Sequence, residues 1–189
     1  MRVQGFGQIC LSALSISVLA LCIITNADPV HAASAEQINI EVDAVLDDFT
    51  QKIKGGKRFL QKAHGVLVFP RVIKAGFFLG GEYGEGALRI HNKTIEYYNT
   101  AGASIGLQMG AQSKSIVLVF LKEQALADFR KSDGWEAGVD GSVAVIEWGV
   151  GEDLSTTDIQ EPIAGFVFNN QGLMFNLTLE GAKFTKIVR

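Results

Sequence analysis

Cysteine is confined to the first 22 residues, at Cys10 and Cys22, and the rest of the chain has none. Disulfides and thiol chemistry are excluded there, so stability must come from a packed core. Histidine is almost as scarce: His31, His64 and His91 are the only three. No histidine or cysteine pair has metal-ligand spacing. A serine nucleophile would need a histidine base, and "GASIG" shares only its small residues with a nucleophile elbow. Glu82 and Glu85 differ by an odd number, so on a strand they point to opposite faces. "GGEYGEG" lacks the Lys-Ser/Thr ending of a phosphate loop and reads as strand. A non-enzymatic protein is expected, without metal or cofactor. Prolines number only three, and neither a low-complexity linker nor a long repeat divides the chain. One domain is expected.

Acid is missing from a whole window. Between Gln51 and Gly81 there is none, while Lys52, Lys54, Lys57, Arg58, Lys62, Arg71 and Lys74 fall inside it. From Glu82 onward, 14 acids face nine bases. An otherwise acidic domain therefore carries a basic block near its start. Two readings fit: a solvated helix end with its loop, or a site for an anionic surface or headgroup.

Ahead of that block lies a long apolar run, "ICLSALSISVLALCIIT" from Ile9 to Thr25, with Arg2 before it and "DPVHA" after. This is the pattern of a secretory signal, cut after Ala32 with Val30 and Ala32 as the small-pocket residues. The expected division is thus a leader over 1–32 and a single domain over 33–189. An uncleaved membrane anchor is the competing reading. A lipid-anchored start at Cys22 fits less well, because Leu21 stands where a small residue is needed. The expected location is the cell envelope, periplasmic or membrane-associated.

"SAEQINIEVDAVLDDFTQKI" predicts an amphipathic helix, with a capping box at Ser34 and Gln37 and a stripe of Ile38, Val42, Val45, Leu46, Phe49 and Ile53. "KGG" ends it, and "KRFLQKA" predicts a short second helix. The stripe packs either on its own domain or on a membrane. After Gly65 the period becomes that of strands. "GVLVFP" reads as a strand stopped by Pro70, and "SIVLVFL", apolar on both faces, as a central strand. "KEQALADFRK" reads as helix and "GSVAVIEW" as strand. "IAGFVFNNQGLMFNLTLEGA" reads as a hairpin turning at "NNQG", with Leu173, Phe175, Leu177 and Leu179 alternating on its second arm. "VGEDLSTTDIQEP" is the one long polar loop. The fold class expected is α+β: an N-terminal helix or helix pair on a Gly-rich, coiled antiparallel sheet of about seven strands, or a partly closed barrel.

Glycine is abundant where strands should be. In "GFFLGGEYGEGALR", Gly76, Gly80, Gly84 and Gly86 share one parity, while Phe77, Leu79, Gly81, Tyr83 and Ala87 form the other, expected to face the core. In "GASIGLQMGA", Gly102, Ser104, Gly106, Gln108 and Gly110 share a face. If the two strands are neighbours, they form a smooth backbone trough. Three accounts compete. Small-residue packing between membrane helices is opposed by Glu82, Glu85 and Arg89. The glycines allow tight coiling of the sheet or close approach of a helix. Or an acyl chain or headgroup lies where side chains are missing.

"KAHGVLVFPRVIKAGFFLGGEYGEGAL" resembles the SYLF domain family. That family has a strand ending in Phe-Pro (Phe69-Pro70), a basic residue (Arg71), Lys-Ala-Gly-Phe (Lys74 to Phe77) and a Gly-Gly-x-Tyr-Gly-x-Gly run (Gly80 to Gly86). "IGLQMGAQSKSIVLVF" resembles its next block and "NQGLMFNLTLEGAKF" its closing one. There are departures: Gln171 replaces a basic residue, Asn176 a glycine, and "KTIEYYNTAG" a tryptophan block. Eukaryotic members are similar to phosphoinositide-binding adaptors, and some bind actin. For an exported bacterial chain the resemblance implies binding to an anionic phospholipid membrane, without a nucleic-acid partner and without actin. Lys54, Lys57, Arg58, Lys62, Arg71 and Lys74 are the candidate headgroup contacts, with Phe59, Phe77 and Phe78 as interfacial rings. A fold-back of the chain is expected to gather them at one end of the domain. The alternative is a structural protein of the envelope whose Gly-rich strands receive a protein partner.

Overall fold

The computed structural model describes residues 32–76, 79–105, 110–146, 159–171, 179 and 181–189. The chain divides at Ala32/Ala33 into two units, and the fold below is that of Ala33–Arg189. The expected leader and its cleavage site lie outside the described residues, Ala32 excepted.

Helix α1 spans Ala35–Lys52. Ser34 caps it: the hydroxyl accepts the Gln37 N–H at 3.1 Å. Only that half of the expected capping box forms, because the Gln37 amide donates to Glu41 Oε1 instead. Helix α2, Gly56–Gln61, follows after a left-handed Gly55. Then come four long antiparallel strands, β1 (Gly65–Gly76), β2 (Leu79–Ile90), β3 (Lys93–Ile105) and β4 (Gly110–Phe120). Helix α3 (Glu123–Lys131) leads to the short β5 (Trp135–Glu136) and β6 (Val143–Ile146), then β7 (Ile163–Gln171) and β8 (Lys183–Ile187). The strands make one sheet in the order β5-β8-β3-β2-β1-β4-β7-β6, curled into a half-barrel under the N-terminal helices. The expected α+β class with a partly closed barrel holds. All named pairings are antiparallel except β6 with β7.

Three details depart from expectation. Pro70 does not end β1. The strand runs on to Gly76, and its register shifts against both β2 and β4 around Phe69–Val72. A bulge absorbs the missing N–H of proline, and the Ser115 hydroxyl donates to the Pro70 carbonyl at 2.7 Å. The shift also flips parity, so Leu67, Phe69, Val72 and Lys74 share one face. Strand β7 continues to Gln171, through most of the expected "NNQG" turn, and the rest of that hairpin up to Leu179 lies outside the described residues. Strands β5 and β8 carry no alternating pattern long enough to read and were not anticipated.

Both sheet faces are covered next to the start of β1. On one, Ile38, Val42, Val45 and Phe49 of α1, with Ile53 just past its end, pack on Val66, Val68, Ala87, Val117, Val119 and Phe166. We call this the α1 face. Polar contacts fix the helix across the strands. Arg89 donates to Asp43 Oδ1 at 2.6 Å and to the Asn39 carbonyl at 3.3 Å. Asn39 also accepts from Thr94 and donates to the Tyr97 hydroxyl. On the other face, Leu67, Phe69, Leu88, Tyr98, Ile116, Leu118 and Phe120 meet Leu126 and Phe129 of α3, with Trp135 and Phe184. The Phe129 ring lies 5.0 Å from both Tyr98 and Phe120 and 5.6 Å from Trp135. Ile116 to Phe120 are all fully buried between the two layers, as expected of a central strand.

A carboxylate ties the second layer together. Glu96 accepts two hydrogen bonds from Arg130 at 3.0 Å, one from Lys186 at 2.6 Å and one from the Tyr98 hydroxyl at 2.8 Å. Hydrogen bonding by Arg130, with Lys186 and Tyr98, outweighs desolvation and holds the Glu96 carboxyl at about 2.

Candidate functional site

Helix α2 is pressed onto α1 by glycine. A Cβ at Gly56 would lie 3.1 Å from the Phe49 carbonyl oxygen and 3.2 Å from its ring. Close seating turns Phe59 inward, edge-on to Phe166 at 5.7 Å. Phe59 therefore belongs to the core below α2 and is half-buried. The opposite side of α2 presents Lys57 and Arg58, with Lys62 just beyond, all exposed. None of the three has an ion-pair partner among the described residues. Lys54 is exposed nearby and does have an interaction.

The chain does not gather the remaining expected contacts there. Helix α2 sits beside the start of β1, where the His64 N–H donates to the Phe120 carbonyl. Lys74 is nine strand positions further along, roughly 30 Å of contour from Gly65. Arg71 and Lys74 also take opposite faces. Arg71, 61% exposed, lies on the α1 face, 3.5 Å from Glu41. Lys74 lies half-buried on the other face. The fold-back expectation fails because β1 is one continuous strand through Pro70. Phe77 and Phe78 lie outside the described residues.

The described glycines share one face as their parity predicts, but "GASIGLQMGA" is not one strand: Gly102 lies near the end of β3 and Gly110 opens β4 on the far side of β1. Strands β2 and β3 are neighbours, and with β1 and β4 they build three rows on the face opposite α1. Thr100, Gly84, Val72 and Lys114 form the first, Gly102, Glu82, Lys74 and Gln112 the second, and Ser104, Gly80, Gly76 and Gly110 the third. Gly106 lies outside the described residues. Two side chains cross this face: Lys114 donates to Glu82 at 2.9 Å, with only 9% and 11% of the two side chains exposed. Sequence reasoning missed this pair, because it joins β4 to β2 across β1. Next to the core, the glycines serve coiling. A Cβ at Gly84 would lie 2.7 Å from the Arg71 carbonyl oxygen, and one at Gly86 would collide with that of Val68.

The opposite parity is not core at this end. Tyr83 and Ile73 are each 49% exposed, and Ala75, Gly81, Ala101 and Ala103 beside them are exposed too. These exposed positions lie past Arg71, where α1 makes its Glu41 contact.

The domain is thus a helix-backed half-barrel with a cationic helix and a glycine-lined face. Residues 101–187, from within β3 to the end of β8, match the family described as Ysc84: Las17-binding protein actin regulator. That is the SYLF family, so the resemblance drawn from the sequence is shown over this stretch. The matched stretch contains the second and third of the three quoted blocks, and the first precedes it. No curated protein matches the chain.

Proposed function

We propose that this protein binds anionic phospholipid at a bacterial envelope membrane, without catalysing a reaction, and that α2 supplies the cations. One observation carries the reading: Lys57, Arg58 and Lys62 are exposed and without ion-pair partners, within a window that has no acid. Most other cations of the fold are paired, including Arg71, Arg89, Lys114, Arg130, Lys186 and Arg189. Each Lys or Arg held near an anionic membrane contributes about 1 kcal/mol. Replacing Lys57, Arg58 and Lys62 with Gln is expected to weaken co-sedimentation with anionic liposomes by about tenfold or more. Rising salt should weaken the parent in the same direction. A matched triple change at Lys93, Lys122 and Lys131, exposed residues outside the block, should do much less. Equal binding by all of these, or none by the parent, rejects the reading. The Las17 and actin functions in the family's description are not transferred, because an exported chain does not meet those partners.

A second reading, a protein-interaction module of the envelope, draws on the uncovered strand ends around Tyr83 and Ile73. Tyr83→Lys should then abolish capture of the envelope partner while leaving liposome binding intact.

A further inference from the structure

The three rows opposite α1 hold more donors than acceptors. Among the described residues of these rows Glu82 is the one carboxylate, and two ammonium groups, Lys74 and Lys114, share its face. Lys74 is its direct cross-strand neighbour, the position from which opposite charges usually pair. Glu82 nonetheless bonds Lys114, which sits one row deeper on β4. Lys74 is left without an ion-pair partner among the described residues. Lys114 has three N–H donors and gives one to Glu82. Thr100 adds a separate observation: it is fully buried, and its Oγ1 has no hydrogen-bond partner. An ammonium removed from water and a hydroxyl without a partner are both unfavourable unless something satisfies them.

We propose that these rows form a binding site for one phosphate-type oxyanion. Lys74 and Lys114 act as its counter-ions and Thr100 as a hydroxyl donor. One anion balances the excess positive charge and supplies acceptors for the unused donors. Burial gives the site a direction. Thr100 and Lys114 are buried, whereas Lys74, Glu82, Gly102 and Gly80 are half-buried. The mouth is therefore toward the third row, and Gly80, Gly76 and Gly110 make a floor without side chains for whatever the anion is attached to. The proposal goes beyond membrane attachment through α2 and does not depend on it.

The oxyanion has two sources, free phosphate or the headgroup of a single phospholipid. Calorimetric titrations with inorganic phosphate and with monomeric dihexanoyl phosphatidic acid separate them. At least one probe should bind one to one, and saturation by phosphate alone assigns the free ion. Lys74→Gln and Thr100→Val should each weaken that binding by about fivefold or more. Thr100→Val fills the same volume without a polar atom, so it should hold or raise the melting temperature while binding falls. Glu82→Gln removes the competing carboxylate and should tighten binding if the variant folds. The proposal is overturned if neither probe binds at millimolar concentration, or if Lys74→Gln and Thr100→Val bind like the parent. The Lys57, Arg58 and Lys62 variant should keep this titration while losing liposomes, so the two proposals fail separately.

Discussion

Single residues decide how far the glycine pattern can be taken at face value. Gly81 and Gly86 stand five apart on β2 and have opposite tolerances. A Cβ at Gly81 would meet nothing closer than the Gly102 carbonyl oxygen at 4.0 Å. Gly81→Ala should be neutral or stabilise by up to about 1 kcal/mol, since it restricts the unfolded chain. Gly86→Ala drives a methyl into the Val68 backbone and the Phe69 ring, and should cost about 1–3 kcal/mol or more. Chemical denaturation of the two variants measures both, and equal effects would remove the close-approach account. Glu96 gives a second residue-scale expectation. Its carboxyl is depressed from an ordinary 4.5 to about 2, so its contribution is complete above 4.5 and is lost as pH falls through that interval. Tyr98, raised by burial and by its bond to Glu96, stays protonated and remains a donor throughout. Thermal melts of Glu96→Gln should lie below the parent at neutral pH and converge with it near pH 2.

At the scale of elements, the sequence was most legible where one period ran unbroken. Helix α1 was readable because Ile38, Val42, Val45 and Phe49 form one stripe, and α3 because Leu126 and Phe129 do the same within a charged segment. Strand β4 was readable because both of its faces are apolar. The course of β1 was not, since Pro70 looks like an end until a neighbouring strand offers Ser115 to its carbonyl. Parity correctly put the glycines on one face, but parity does not say which end of a strand is buried. Tyr83 was therefore assigned to the core when it lies exposed past Arg71. Of the candidate site, the exposed cations of α2 were visible as a charge pattern. The Lys114–Glu82 pair was not, because its partners are 32 residues apart in sequence and two strands apart in the sheet. Because the α1 face is one of only two described core layers, the helix is integral to the fold. Phe49, stacked edge-on to Phe166 at 5.0 Å, is its main anchor. Phe49→Ala should cost about 3–5 kcal/mol and lower a single transition rather than release the helix alone. A separate early transition by circular dichroism would contradict this.

For the whole molecule, the expected leader and the start of the fold make one expectation together. If the leader is cut after Ala32, intact mass of the exported protein should begin at Ala33, one residue before the Ser34 cap of α1. A full-length mass in the membrane fraction would replace this with an anchored chain. Between these scales lies a property of the sheet's outline. Its long strands are all interior, and among the described residues it finishes in β5, two residues long, and β6, four. Such short borders give an incoming strand few free backbone groups to pair with. At those two borders an added strand could pair with at most two residues of β5 or four of β6, which disfavours edge-to-edge growth from either.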